Sequence, residues 1–211
     1  MSTITAIEYQ KNNKNKVNLY VDGEFKCGLT AETAVAARLK KGQELSEEKL
    51  TELLTTSEAQ IAFDKSLNYI SKSGKTAYQV KQYLVQKGFA PQAADSALQK
   101  LKDYKYVDDE QYAAQYVAQG KPTKGAIRLK QELMLKGVEK SVIEQALSAL
   151  DQEETEQNAL RVAEKFLKNK PLDVSMAAKI NRHLLGRGFD YETAGAILEI
   201  LRQKYSSQTD D

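Results

Sequence analysis

Three stretches of the chain end alike: YLVQKGF (Tyr83–Phe89), ELMLKGV (Glu132–Val138) and HLLGRGF (His183–Phe189) each close with a basic residue, a glycine and an apolar residue. The glycines, Gly88, Gly137 and Gly188, lie 49 and 51 residues apart. A fixed period of this size marks a tandem repeat, and alignment on the glycines brings other positions into register. Eleven residues earlier stand Ala77, Ala126 and Ala177; eight earlier, Val80, Leu129 and Ile180; four earlier, Leu84, Leu133 and Leu184. These offsets draw one apolar helix stripe, three times over. Past the glycine a second stripe follows, at Ala94, Ile143 and Ala194, then Ala97, Ala146 and Ile197, and finally Leu101, Leu150 and Leu201. The glycine between two helices suits a left-handed C′ position, and Phe89, Val138 and Phe189 suit the apolar contact just beyond it.

Working outward, each pair of helices has a third before it, expected over Ile61–Ile70, Tyr112–Val117 and Ala159–Leu167. The fold class that follows is mainly α: three tandem three-helix repeats forming an elongated curved body, each repeat too small to stand without its neighbours. The first thirty residues differ. TITAIEY and KVNLYV are β-type runs, and the Asp22-Gly23 pair in VDGEF signals a hairpin, so a three-stranded meander is expected there. Two short helices follow, one ending near Gly42 and one capped by Ser46. The expected organisation is an N-terminal α+β module over 1–55, repeats over 57–106, 107–151 and 152–205, and a polar tail over 206–211.

Composition narrows the function. The chain has 211 residues, 41% hydrophobic and 28% charged, with a net charge of +2. That fits a folded, water-soluble protein, and no apolar run approaches the roughly 20 residues of a membrane span. No basic-then-apolar leader opens the chain, so a cytoplasmic monomer with no membrane role is the expectation. Cys27 and His183 are the sole residues of their kinds, which excludes a disulfide, a cysteine metal cage and a histidine relay. No cofactor is called for. Gly74-Lys75-Thr76 resembles the end of a nucleotide-binding P-loop, but Tyr69 stands where the first glycine belongs and the preceding residues have helical spacing. A P-loop needs that glycine and a strand before it, so nucleotide hydrolysis is not expected. Asp108, Asp109 and Glu110, like Asp151, Glu153 and Glu154, can be read as metal ligands or as first-turn helix charges; each group directly precedes an amphipathic helix, which favours the second reading. Tyr104 and Tyr106 can stack on bases or fill a repeat boundary, and packing is the preferred reading.

Basic residues recur with the same period. Lys75 and Lys124 stand thirteen residues before their glycines, Arg128 follows in the second repeat, and Lys179 and Arg182 occupy the third. At about 100° per residue these positions turn away from the core stripe, so the second helix of each repeat is expected to present positive charge to solvent. Lys87, Lys136 and Arg187 sit beside the glycines, where they either complement a helix C-terminus or extend the same surface. In the central repeat Lys121, Lys124, Arg128, Lys130 and Lys136 are opposed within the helix by Glu132 alone. A binding face for a polyanion or an acidic protein is the preferred reading, and reversing Lys124 and Arg128 is expected to leave folding nearly unchanged.

The run LKDYKYVDDEQYAAQYV, with KGAIRLKQELMLKGV and IEQAL after it, resembles the RecX family of bacterial recombinase regulators over roughly Ser57–Tyr205. The resemblance implies three repeats of three helices, no enzymatic activity, and a protein that lodges in the groove of a RecA filament on DNA and modulates, mostly by inhibition, its recombinase, ATPase and co-protease activities. Direct binding of DNA by the basic face is the competing reading. Two departures from the family pattern stand out: Lys75-Thr76 replaces a common arginine-serine, and Lys105 stands where a glycine often precedes the aromatic and the two acids.

Overall fold

The computed structural model describes residues 2–168 and 170–206, with Ser206 described by its backbone alone. The chain divides into two compact units, Met1–Val107 and Asp108–Asp211.

The first unit opens with β1 (Ser2–Gln10), β2 (Asn13–Val21) and β3 (Glu24–Thr30). Asp22 and Gly23 both have positive φ, 52° and 87°, the backbone of a two-residue hairpin whose twist matches its strands. The meander is antiparallel, and the sheet order is β3-β2-β1-β4. The fourth strand corrects the expectation that strands stop at residue 30: β4 is only Glu44–Leu45 and pairs with Thr3 and Ser2. Two residues carry too little alternation to be read as a strand. Between β3 and β4 lies α1 (Ala31–Ala36), capped by Thr30, whose hydroxyl accepts the N–H of Thr33 at 3.1 Å.

The second difference lies in α2. The helix capped by Ser46 does not stop before the first repeat; it runs unbroken over Glu47–Ile70. No glycine or proline stands between Gly42 and Gly74, so nothing in the chain interrupts it. Its first half supplies Leu50 and Leu53 to the core of the sheet, with Ile4, Leu19 and Leu29. Its second half supplies Ala62 and Phe63 to the core of the first repeat, with α3 (Ala77–Gln86) and α4 (Pro91–Asp103). Ser57 marks the change: it is buried, and its Oγ accepts the buried N–H of Thr30 at 2.8 Å.

The second unit holds two three-helix repeats, α5 (Asp109–Gly120), α6 (Ala126–Leu135) and α7 (Lys140–Ser148), then α8 (Gln152–Leu167), α9 (Val174–Gly186) and α10 (Tyr191–Ser206). The polar tail expected over 206–211 lies, beyond Ser206, outside the described residues. The predicted stripes are the cores, except at Ala126, which is exposed at the start of α6: Val80, Leu84, Leu129, Leu133, Ile180 and Leu184 are all fully buried. Truncating one such leucine to alanine costs about 2–5 kcal/mol. At the three glycines φ is 82°, 75° and 85°. Phe89, Val138 and Phe189 each donate N–H to the carbonyl five residues back, Leu84, Leu133 and Leu184, which is the Schellman closure. Lys105 closes α4 in the same way at φ 60°, with Tyr106 donating to Leu101 O at 2.9 Å. A lysine there carries the steric cost that glycine avoids.

Candidate binding surface

The acidic groups resolve first. Asp108 accepts the N–H of Gln111 at 2.9 Å and Asp151 that of Glu154 at 2.8 Å, each satisfying an orphan donor at a helix start. Among the described residues no cluster of three or more His, Cys, Asp or Glu is placed to hold a metal ion. The Gly74-Lys75-Thr76 stretch is entered from the end of α2, and Thr76 forms a capping box with Gln79 at the start of α3. Its buried hydroxyl accepts the Gln79 N–H at 3.2 Å, so the stretch forms a helix start.

The second helices carry a common position that periodicity did not single out. Five residues before the glycines stand Tyr83, Glu132 and His183, and each meets an aromatic side chain of the helix before it. Tyr83 stacks on Tyr69 with ring centres 4.1 Å apart and planes 3° from parallel. His183 stacks on Phe166 at 4.3 Å, and burial, with Arg187 nearby, pushes its pKa below the ordinary histidine value. Glu132 instead accepts a hydrogen bond from Tyr116 Oη at 2.8 Å. One joint between helices is thus filled by three different chemistries.

Around that joint the basic residues fall into two classes. In the central repeat they are committed. Glu132 accepts from Lys124 Nζ at 2.6 Å and from Arg128 Nε at 3.0 Å, in addition to Tyr116. Burial alone would raise the Glu132 carboxyl, but the hydrogen bonds from Lys124, Tyr116 and Arg128 outweigh it and hold the pKa down at about 2. Burial and the bond to Glu132 push the Tyr116 phenol up to about 12. Lys121 pairs with Glu154 at 2.8 Å and Lys130 with Glu144 at 3.6 Å, while Lys136 lies over the Tyr116 ring at 5.3 Å. The expectation that Lys124 and Arg128 simply face solvent, opposed by a bystander acid, is therefore corrected: Glu132 lies within reach of both and draws them onto the helix surface.

Elsewhere the cations are less engaged. Lys75 reaches Ser73 Oγ at 2.7 Å and lies over the Tyr69 ring at 5.3 Å, and Lys87 lies over Tyr83 at 5.7 Å. The paired tyrosines thus carry a lysine on each ring. In the third repeat Lys179, Arg182 and Arg187 are exposed, and Arg182 bonds its own helix at Ala178 O. Among the described residues none of these five forms an ion pair. Tyr104 packs its ring against Phe63 at 6.1 Å and against Tyr106 at 6.0 Å, yet both tyrosines remain 59% and 57% exposed, beside Lys102 and Lys105 in the chain.

Gly125 and Arg128 also serve a purpose that sequence spacing hides. Gly125 N–H donates to Arg187 O at 3.0 Å and Ile127 N–H to Gly188 O at 3.2 Å, so the start of α6 is satisfied by the carbonyls that end α9. These are orphan groups of two helix termini meeting with complementary dipoles. A Cβ at Gly125 would overlap Gly188 O, and one at Gly188 would overlap the backbone of Arg128. Arg128 Nη1 adds a bond to Gly186 O at 3.4 Å. The second and third repeats are joined backbone to backbone.

Comparison with known proteins agrees over nearly the whole chain. Residues 2–46 match the family described as Regulatory protein RecX N-terminal domain, 62–101 the first three-helix domain of RecX, and 108–147 the second. The Regulatory protein RecX of Bacillus licheniformis is 34% identical over 203 residues, 94% of this chain and 77% of that one. That of Clostridium perfringens strain 13 is 32% identical over 205 residues, 95% of this chain and 97% of its own. A crystal structure of regulatory protein RecX superposes with a TM-score of 0.76 at 27% identity, covering 94% of this chain and 100% of that one. The RecX structure from Lactobacillus salivarius superposes with a TM-score of 0.65 at 25% identity, over 70% of this chain and 99% of that one.

Proposed function

This chain belongs to the RecX family of regulatory proteins, and from that membership together with its charge distribution we infer that it acts by binding, without catalysis, to a RecA filament assembled on DNA. It lodges in the filament groove and inhibits recombinase, ATPase and co-protease activity. The observation that carries the choice of contacts is the split between committed and uncommitted cations. A charge already held by a carboxylate gains little from a second anionic partner, because forming the new contact breaks the old one. Lys75 and Lys87 in the first repeat, with Lys179, Arg182 and Arg187 in the third, are therefore the binding residues. Lys124, Arg128, Lys130 and Lys136 serve chiefly to hold the central repeat together, and Lys121 ties it to Glu154 of α8.

The test is RecA's DNA-dependent ATPase. Lys75→Glu with Lys87→Glu, and separately Lys179→Glu with Arg182→Glu, should each raise the concentration needed for half-inhibition about tenfold or more, with unchanged helical circular dichroism. Suppression at wild-type concentrations by both folded variants overturns the assignment. A second reading, direct binding of single-stranded DNA, is favoured by the exposed Tyr104 and Tyr106 among lysines, since aromatic faces beside cations stack bases at about 1–3 kcal/mol each. It predicts binding to DNA without RecA that weakens steeply with salt and is lost in Tyr104→Ser with Tyr106→Ser.

A further inference from the structure

The sheet of the N-terminal module is incompletely covered. Of β1, only Ser2 and Thr3 are paired with β4, and backbone bonds to Gln43 and Gly42 end at Ile4. From Thr5 to Gln10 the edge away from β2 has no strand on it among the described residues. Such an edge is a template for another strand unless a proline, a charge or a bulge guards it. Here the register shifts fall between Ile4 and Ala6 and between Tyr9 and Gln10, leaving Ala6–Tyr9 regular, with a single charge, Glu8. Successive strand side chains alternate between faces, so Glu8 points away from the face shared by Ile7 and Tyr9.

That face is open too. Helix α1 has six residues, too few to roof the sheet, and it leaves a cleft of about 310 Å3 over Ile7, Tyr9 and Val17, walled by Val35 and Leu39. Tyr9 is 59% and Val35 71% exposed. The volume lies at the bottom of the range for small-molecule sites and suits inserted side chains better than a cofactor. Arg38 and Lys40 complete the lining, which contains no acid. Neither forms an ion pair among the described residues.

We propose that this edge and cleft bind an extended acidic peptide segment of a partner protein, which adds to β1 as a fifth strand and, from the one side-chain face it turns to the cleft, places an apolar side chain over Ile7 and Tyr9 and carboxylates against Arg38 and Lys40. Strand addition takes affinity from main-chain bonds and specificity from pockets for alternate side chains. A second copy of this chain is the poorer occupant, because edge-to-edge pairing would bring the partner's own Arg38 and Lys40 to the same cationic rim.

The probe is a fluorescein-labelled heptapeptide with threonine at its odd positions, aspartate at the second and sixth and phenylalanine at the fourth, so that the acids and the ring share one face, and its counterpart with lysine for both aspartates. With the full chain, the acidic peptide should give saturable anisotropy, weakened about tenfold by Arg38→Glu and by Val35→Asp. Both positions are exposed, and unchanged circular dichroism will establish that the variants fold. Amide hydrogens of Thr5–Gln10 should exchange more slowly with the peptide bound. Equal affinity for the lysine peptide, absence of saturation, or those amides already protected in a dimer of the free protein would each overturn the proposal.

Discussion

Replacing Glu132 by glutamine removes one charge and almost no volume, so its effect isolates the central clamp. The native carboxyl titrates at about 2 against an ordinary value of 4.5. At 1.36 kcal/mol per unit the depression corresponds to on the order of 3 kcal/mol. The side chain is only 20% exposed, so solvent removes little of this. The folded pKa lies below the unfolded one, so the contribution is fully present above about pH 4.5 and disappears as pH falls through about 2. Glu132→Gln should therefore lower the free energy of unfolding by about 3 kcal/mol at pH 7. Linkage with the same two pKa values leaves about a quarter of that difference at pH 2.5. Urea denaturation followed by far-ultraviolet circular dichroism at the two pH values measures both, since the chain has no tryptophan. A variant as stable as wild type at pH 7 would mean that Lys124, Arg128 and Tyr116 gain nothing from the acid. A gap that persists undiminished at pH 2.5 would mean that the loss is steric and not electrostatic.

The remaining predictions concern backbone positions. Gly125→Ala should destabilise the second unit by several kcal/mol, because the new methyl group meets a backbone carbonyl that cannot swing aside; a wild-type urea midpoint would refute the docking of α6 on α9. Lys105→Gly should raise stability by up to about 1 kcal/mol, relieving the left-handed conformation of a side-chain-bearing residue at the end of α4; a fall in midpoint would refute it.

Regular features were legible from the chain because their causes are local. The three stripes, Ala126 apart, the glycines with their apolar followers, the cap at Ser46 and the acids that open α5 and α8 depend on residues within a few positions of one another, and the structure has them as expected. What was missed is non-local. Glu132 looked like an outnumbered acid because helical angles place Lys124 and Arg128 on a face but do not say that Tyr116, sixteen residues earlier, delivers a fourth group to the same spot. Gly125 read as part of a family motif, while its reason lies 63 residues on at Gly188. A comparison that could have exposed the joint was available in the aligned column of Tyr83, Glu132 and His183: three large side chains of unlike polarity at one half-buried place.

Helix α2 imposes a rule on what lengths of chain this fold can accept. One face of it is in phase with the sheet through Leu50 and Leu53, and another with the first repeat through Ala62 and Phe63. Adding or deleting a single residue between Leu53 and Ala62 would swing one core about 100° relative to the other and shift it by about 1.5 Å. An insertion of seven would restore the phase to within about 20° but part the two cores by about 10 Å, and the bond from Thr30 to Ser57 could not span that. Length variation in this part of the molecule is thus confined to the connections on either side, around Gly42 and Gly74, while the helix between them keeps its count.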